Sequence, residues 1–197
     1  MRGHAAGTVT DPSAALRVAS RWSKQPDALA GAVGPETLAA THHGTIGAVR
    51  AETWERIGRF AGVLRQAGTV TLVARDCPNS LLGAFHATRN ALLLCANNLQ
   101  NDPQEIWEVL AHESAHVMQH CKGGGLLDQG QLDLAMTRIQ EESPRLVKEL
   151  RLYHQSQHRD EVEARLVQGL APDRVEALFR QFCAERLNGS PAQTGGA

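Results

Sequence analysis

Hydrophobic residues recur at helical spacing early in the chain. Val49, Trp54, Ile57, Phe60, Ala61 and Leu64 fall on one face, which predicts an amphipathic helix over 49–67, closed by Gly68. The pattern then changes. Residues 69–75 (TVTLVAR) alternate and are β-branched, which suits a strand, and Asp76 to Ser80 read as a turn. Residues 91–96 (ALLLCA) form a short apolar run between two polar pairs, consistent with a second strand. Helical spacing returns over 102–121, with Asp102 as N-cap, Pro103 at the first helical position and Glu105 placed to complete a capping box. Gly123, Gly124 and Gly125 stop that helix. Residues 130–142 and 144–168 read as further helices, the second opened by Ser143-Pro144, and 172–187 as a last amphipathic one. Upstream, residues 13–24 suit a short helix, and 25–48 are broken by Gly and Pro. The order predicts an α+β domain, mostly helical, with a small β-sheet packed beside the helix over 102–121. Its expected limits are 49–188, after an N-terminal segment 1–48 that is partly flexible and before a flexible tail 189–197.

Composition narrows the class. A chain of 197 residues with 42% hydrophobic residues can bury a core without staples, and with 4% aromatics that core is built mainly from Leu, Val, Ile and Ala. Lys+Arg number 20 and Asp+Glu 21, so there is no basic excess and no nucleic-acid partner is expected. No apolar run of about 18 residues is present, so no transmembrane segment is expected. The N-terminus lacks the apolar stretch of a secretory signal, so the expected location is cytoplasmic. Cys77, Cys95, Cys121 and Cys183 are too scattered to suggest a disulfide scaffold, and no Cys-x-x-Cys pair suggests a thiolate zinc site. Phosphate loops, Gly-x-Gly-x-x-Gly and Gly-x-Ser-x-Gly are absent from the sequence. Oligomeric state leaves no signature.

The chemistry lies in the strongest helix. Leu110 to His120 contain His112-Glu113-x-x-His116. Residues four apart sit one helical turn apart on the same face, so the two imidazoles can converge on one ion at about 2.0–2.1 Å. Glu113 is rotated by about 100° from His112, beside that ion, where its carboxylate can act on a bound water as general base and acid. The helix is apolar on several sides, and buried histidines and a buried glutamate need partners, which a metal supplies.

A third ligand must come from elsewhere, and His158 to Arg165 hold the best candidates. His-Glu-x-x-His followed by Glu161-x-x-Ala164 on a second helix resembles the gluzincin metallopeptidases, including their small uncharacterised bacterial and cyanobacterial members. The apolar strand ending in Cys95 and Asn97, and the Gln119-x-Cys121 after the motif, are similar to the same group. The likeness covers roughly residues 69–168. It implies a zincin-like fold, one Zn2+ per chain bound by His112, His116 and Glu161, and a zinc-dependent endopeptidase acting on a protein or peptide substrate. It further implies that a Tyr or His stabilises the oxyanion, of which Tyr153 ranks before His154 and His158, and that residues 91–96 bind substrate as an edge strand. The family often has Asp four residues after the ligand Glu; here that residue is Arg165. Glu163 is the alternative third ligand, although the helix face of Glu161 is richer in polar side chains. The rival reading is a zinc-bound, non-proteolytic module whose metal stabilises the fold or supports partner binding.

Overall fold

The computed structural model describes residues 44–142, 147–148 and 155–189. The expected helix over 13–24, Tyr153, His154 and nearly all of the expected tail lie outside the described residues. In chain order the elements are α1 (Gly44–Gln66), β1 (Val70–Ala74), β2 (Gly83–His86), a 3-10 turn (Ala87–Arg89) and β3 (Ala91–Cys95). They continue as α2 (Pro103–Lys122), α3 (Gln129–Glu142), α4 (Gln155–Gln168), α5 (Pro172–Phe182) and α6 (Ala184–Asn188). The architecture is α+β, with one small sheet against a mainly helical body.

The three strands lie in the order β1-β3-β2. β1 runs parallel to β3, with Leu72 opposite Leu93, and β2 runs antiparallel, with Ala84 opposite Leu93. β3 is therefore the central strand. This corrects the expectation that residues 91–96 form a substrate-binding edge: both flanks of that strand are already paired. β2, which the sequence pattern did not predict, is the edge on the side of α2.

Alternation along β3 serves two cores. Leu92 and Leu94 enter the main cluster, while Leu93 and Cys95 join Ala74, Cys77 and Leu81 in a smaller one. The main cluster is centred on Phe60 of α1, whose ring lies 5.5 Å from Trp107 of α2 and 5.5 Å from Phe179 of α5. α2 packs against α1, α4, α5, β2 and β3, so it runs through the middle of the domain. Asp102 caps it as expected, accepting from the Gln104 N–H at 3.3 Å, and Gly123 ends it at φ 76°. Glu105 also reaches upstream of the cap. Its carboxylate accepts from the Gln100 N–H at 2.6 Å, two residues before the cap.

All four cysteines are paired, as Cys77–Cys95 and Cys121–Cys183. This corrects the expectation of no disulfide framework. Scattered positions in sequence carry no pairing information, but the fold brings the Cα atoms to 5.7 and 5.2 Å, inside the disulfide range. Among the described residues no helix is long and apolar enough to cross a membrane.

Candidate metal centre

From Val109 to Ala115 every residue of α2 is buried, because neighbouring elements surround this stretch. His112 and His116 share the face that meets α4. Their ring centres are 5.2 Å apart and their planes are inclined at 77°, so the two rings do not stack. α4 brings Glu161 to the same point. Glu161 Oε2 is 3.5 Å from His112 Nε2, and Oε1 is 3.6 Å from His116 Nε2. Ala164, fully buried one turn along α4, presents only a methyl group to the packed core.

The donor set can be tested against a metal. One ligand atom from each of the three residues lies within 4.8 Å of the others. Tetrahedral bonds of about 2.0–2.2 Å hold donor atoms about 3.4 Å apart, close to the His–Glu spacings found here. Those spacings are long for hydrogen bonds. Glu161 Oε2 is also buried without a hydrogen-bond partner among the described residues. A buried carboxylate oxygen in that state is costly unless something else binds it. The residues fit a divalent cation that takes imidazole and carboxylate ligands, a class that includes zinc.

The two carboxylates near the histidines are driven in opposite directions. Burial of Glu113 raises its carboxyl above the ordinary 4.5, although His112 and His116 pull the other way. Burial also acts to raise Glu161, but His112, His116 and Arg165 outweigh it and hold that carboxyl below its ordinary value. Glu113 therefore holds a proton more readily than Glu161 does. Glu113 also touches the sheet. A Cβ on Gly83 of β2 would stand 2.9 Å from Glu113 Cγ and 2.7 Å from Val109 Cγ1, so only glycine allows this approach. A groove lined by Leu82, Val109, Arg165 and Gln168 opens onto His112 and Glu113.

Glu163 lies on another face of α4 and does not join the cluster. It is 1% exposed, yet its carboxylate accepts from the N–H groups of Leu126 (2.7 Å) and Leu127 (3.0 Å) and from Gln119 Nε2 (3.0 Å). Arg159 Nε donates to it at 3.3 Å, and the Arg159 guanidinium is held in turn by the Leu127 carbonyl. Glu163 thus anchors the chain that follows the three glycines. His120 is exposed at the end of α2, with its ring 5.6 Å from Phe85. His158 is half-buried on α4. Three neighbours of the cluster have no signal in the sequence: β2, its Gly83 and the hydrogen bonds of Gln119. Gly83 carries no side-chain signal, and Gln119 is recognisable only once α4 is docked beside α2.

The chain belongs to the family described as a domain of unknown function (DUF8637), whose model matches residues 63–184. No curated protein matches the chain, and no solved structure does. The matched span includes the three strands, all of α2 and all of α4.

Proposed function

We propose that this DUF8637 member is a zinc-dependent endopeptidase. The observation that carries the reading is the meeting of His112, His116 and Glu161, with Glu113 buried next to His112 in the same helix. Three protein ligands leave a fourth position for water, which distinguishes catalytic from structural zinc sites. Zinc held there would acidify that water toward a pKa of about 7. Glu113 then accepts a proton as the water oxygen adds to the peptide carbonyl carbon. It returns that proton to the amine nitrogen as the C–N bond breaks.

The sheet supports a peptide substrate. The Cys95 N–H donates to the Leu82 carbonyl at 2.9 Å, so in an antiparallel ladder Leu82 and Ala84 face β3. Gly83 and Phe85 then direct their backbone groups to the edge that no strand among the described residues pairs, on the strand that touches Glu113. An extended peptide added there would run past the general base. Tyr153 is proposed to stabilise the oxyanion on the resemblance alone. The two disulfides favour an oxidising compartment over the cytoplasm expected from the N-terminus.

Glu113→Gln tests the reading. The wild type is expected to bind about one zinc per chain, as three-ligand catalytic sites do, and to cleave members of an unbiased peptide pool. The variant should keep the zinc and lose hydrolysis by at least about 100-fold. A wild type that binds zinc but cleaves nothing in the pool would favour the non-proteolytic module.

A further inference from the structure

The two histidines of the cluster are not held alike. His112 Nδ1 is buried with no hydrogen-bond partner among the described residues. His116 Nδ1 lies 2.8 Å from Gln119 Oε1. The amide of Gln119 is tied at its other end, where Nε2 donates to the Asp160 carbonyl and to Glu163 Oε2, each at 3.0 Å. Both of those partners are acceptors. A backbone carbonyl has no hydrogen to give, and Glu163 already receives two backbone N–H groups and the Arg159 guanidinium. Turning the amide over would set its oxygen against two acceptors, in a place where Gln119 is 8% exposed and Glu163 is 1% exposed. Unpaired polar atoms there would each cost about 1–3 kcal/mol. The amide therefore has one orientation, with its oxygen toward His116. An oxygen acceptor at 2.8 Å requires a hydrogen on Nδ1, and in a neutral imidazole that leaves the lone pair on Nε2. Nε2 is the nitrogen that faces Glu161.

We propose that Gln119 is a positioning residue that fixes His116 in its Nδ1–H tautomer before any metal arrives, with Glu163 setting the orientation of Gln119. The inference rests on the metal-site reading for its purpose but not for its geometry. Glu163 also holds the N–H groups of Leu126 and Leu127, so the segment after the three glycines shares its anchor with a metal ligand. The relay places no charge on the imidazole and leaves Nε2 free to coordinate.

The test reads the metal-free full chain by long-range 1H–15N correlation of the histidine rings, at about pH 8, above the ordinary imidazole pKa of about 6.5. His116, assigned by its loss in His116→Ala, is expected as the Nδ1–H tautomer. Gln119→Leu keeps the bulk and removes the acceptor. It should release the ring to a mixture dominated by Nε2–H and weaken zinc, in competition with a chromophoric chelator, by about 10–100-fold. Far-UV circular dichroism of the metal-free variant should stay that of the wild type. An Nε2–H ring in the wild type overturns the proposal, whether or not the variant folds. So does a folded Gln119→Leu with an unchanged tautomer or unchanged zinc affinity. Failure of the peptidase reading would appear as zinc bound without hydrolysis, and would leave the tautomer result standing.

Discussion

One residue, Val162, separates Glu161 from Glu163 on α4, and both glutamates are buried, but their surroundings ask different things of them. Glu161 faces two imidazoles with one oxygen unpartnered, while Glu163 is saturated by two backbone N–H groups, an amide and a guanidinium. Replacing each by Gln should separate metal binding from stability. Glu161→Gln removes a charged ligand and should lower zinc affinity by more than about 100-fold, with the metal-free protein changing by less than about 1 kcal/mol. Glu163→Gln puts an N–H where other donors already point, and should destabilise the metal-free protein by about 3 kcal/mol. Chelator competition and urea unfolding measure the two effects, and equal losses of both properties would contradict the assignment. Glu113 adds a pH signature in the metal-free state. Its raised carboxyl keeps a proton that the unfolded chain gives up near 4.5, so its stabilising contribution is present below that value. The contribution is lost as pH rises through the folded value, and Glu113→Gln should flatten that slope. At this scale the sequence was informative where geometry is local. His112 and His116 are legible because a helix sets residues four apart on one face. Glu161 came into view through its likeness to a family motif. The role of Glu163 stayed hidden, since its partners include the backbone of a loop, which has no sequence signature.

Helix α2 was readable almost to the residue, because Asp102, Pro103 and Gly123 mark its ends through backbone chemistry. β2 was not. Gly83, Ala84, Phe85 and His86 show neither β-branching nor a clear alternation, and the strand exists because β3 supplies its ladder. α5 and α6 were expected as one helix; the chain breaks at Cys183, the residue bonded to Cys121. The importance of β2 can be tested at its tightest point. Gly83→Ala places a methyl group 2.7 Å from Val109 Cγ1, 2.9 Å from Glu113 Cγ and 3.0 Å from the Leu93 carbonyl oxygen. The first two contacts can yield only by moving α2 side chains, and the third lies in the sheet. The expected cost is about 1–3 kcal/mol of stability, with hydrolysis reduced more than zinc binding because Glu113, not a ligand, is displaced. Gly58→Ala on the exposed surface of α1, where nothing lies within 4 Å of the new Cβ, serves as the control. If both alanines behave alike, β2 does not set the position of Glu113.

Across the whole molecule, the two disulfides tie the sheet and the helices separately. Cys77–Cys95 joins the segment after β1 to the end of β3 and caps the smaller cluster. Cys121–Cys183 joins the last turn of α2 to the residue between α5 and α6, beside the main core. The sequence could not supply these pairs, since separations of 18 and 62 residues become contacts only after the fold has formed. Their effect on the unfolded chain follows from those same separations. On the loop-entropy account the shorter crosslink contributes about 3 kcal/mol and the longer about 4 kcal/mol, each less any strain in the folded state. The proposed metal ligands come from α2 and α4, which no disulfide joins; Gln119 and the packing around Ala164 hold that pair together. Loss of Cys121–Cys183 should therefore lower stability without dismantling the cluster. The double substitution Cys121→Ala, Cys183→Ala is expected to reduce the unfolding free energy by about 2–4 kcal/mol, while zinc still binds at about one per chain. Urea unfolding and metal analysis on the same samples decide it. An unchanged urea midpoint would mean that the crosslink does not constrain the unfolded chain. Lost zinc in a variant that remains folded would mean that the α2–α4 contact depends on the far end of α2 and is not set by the residues around the site.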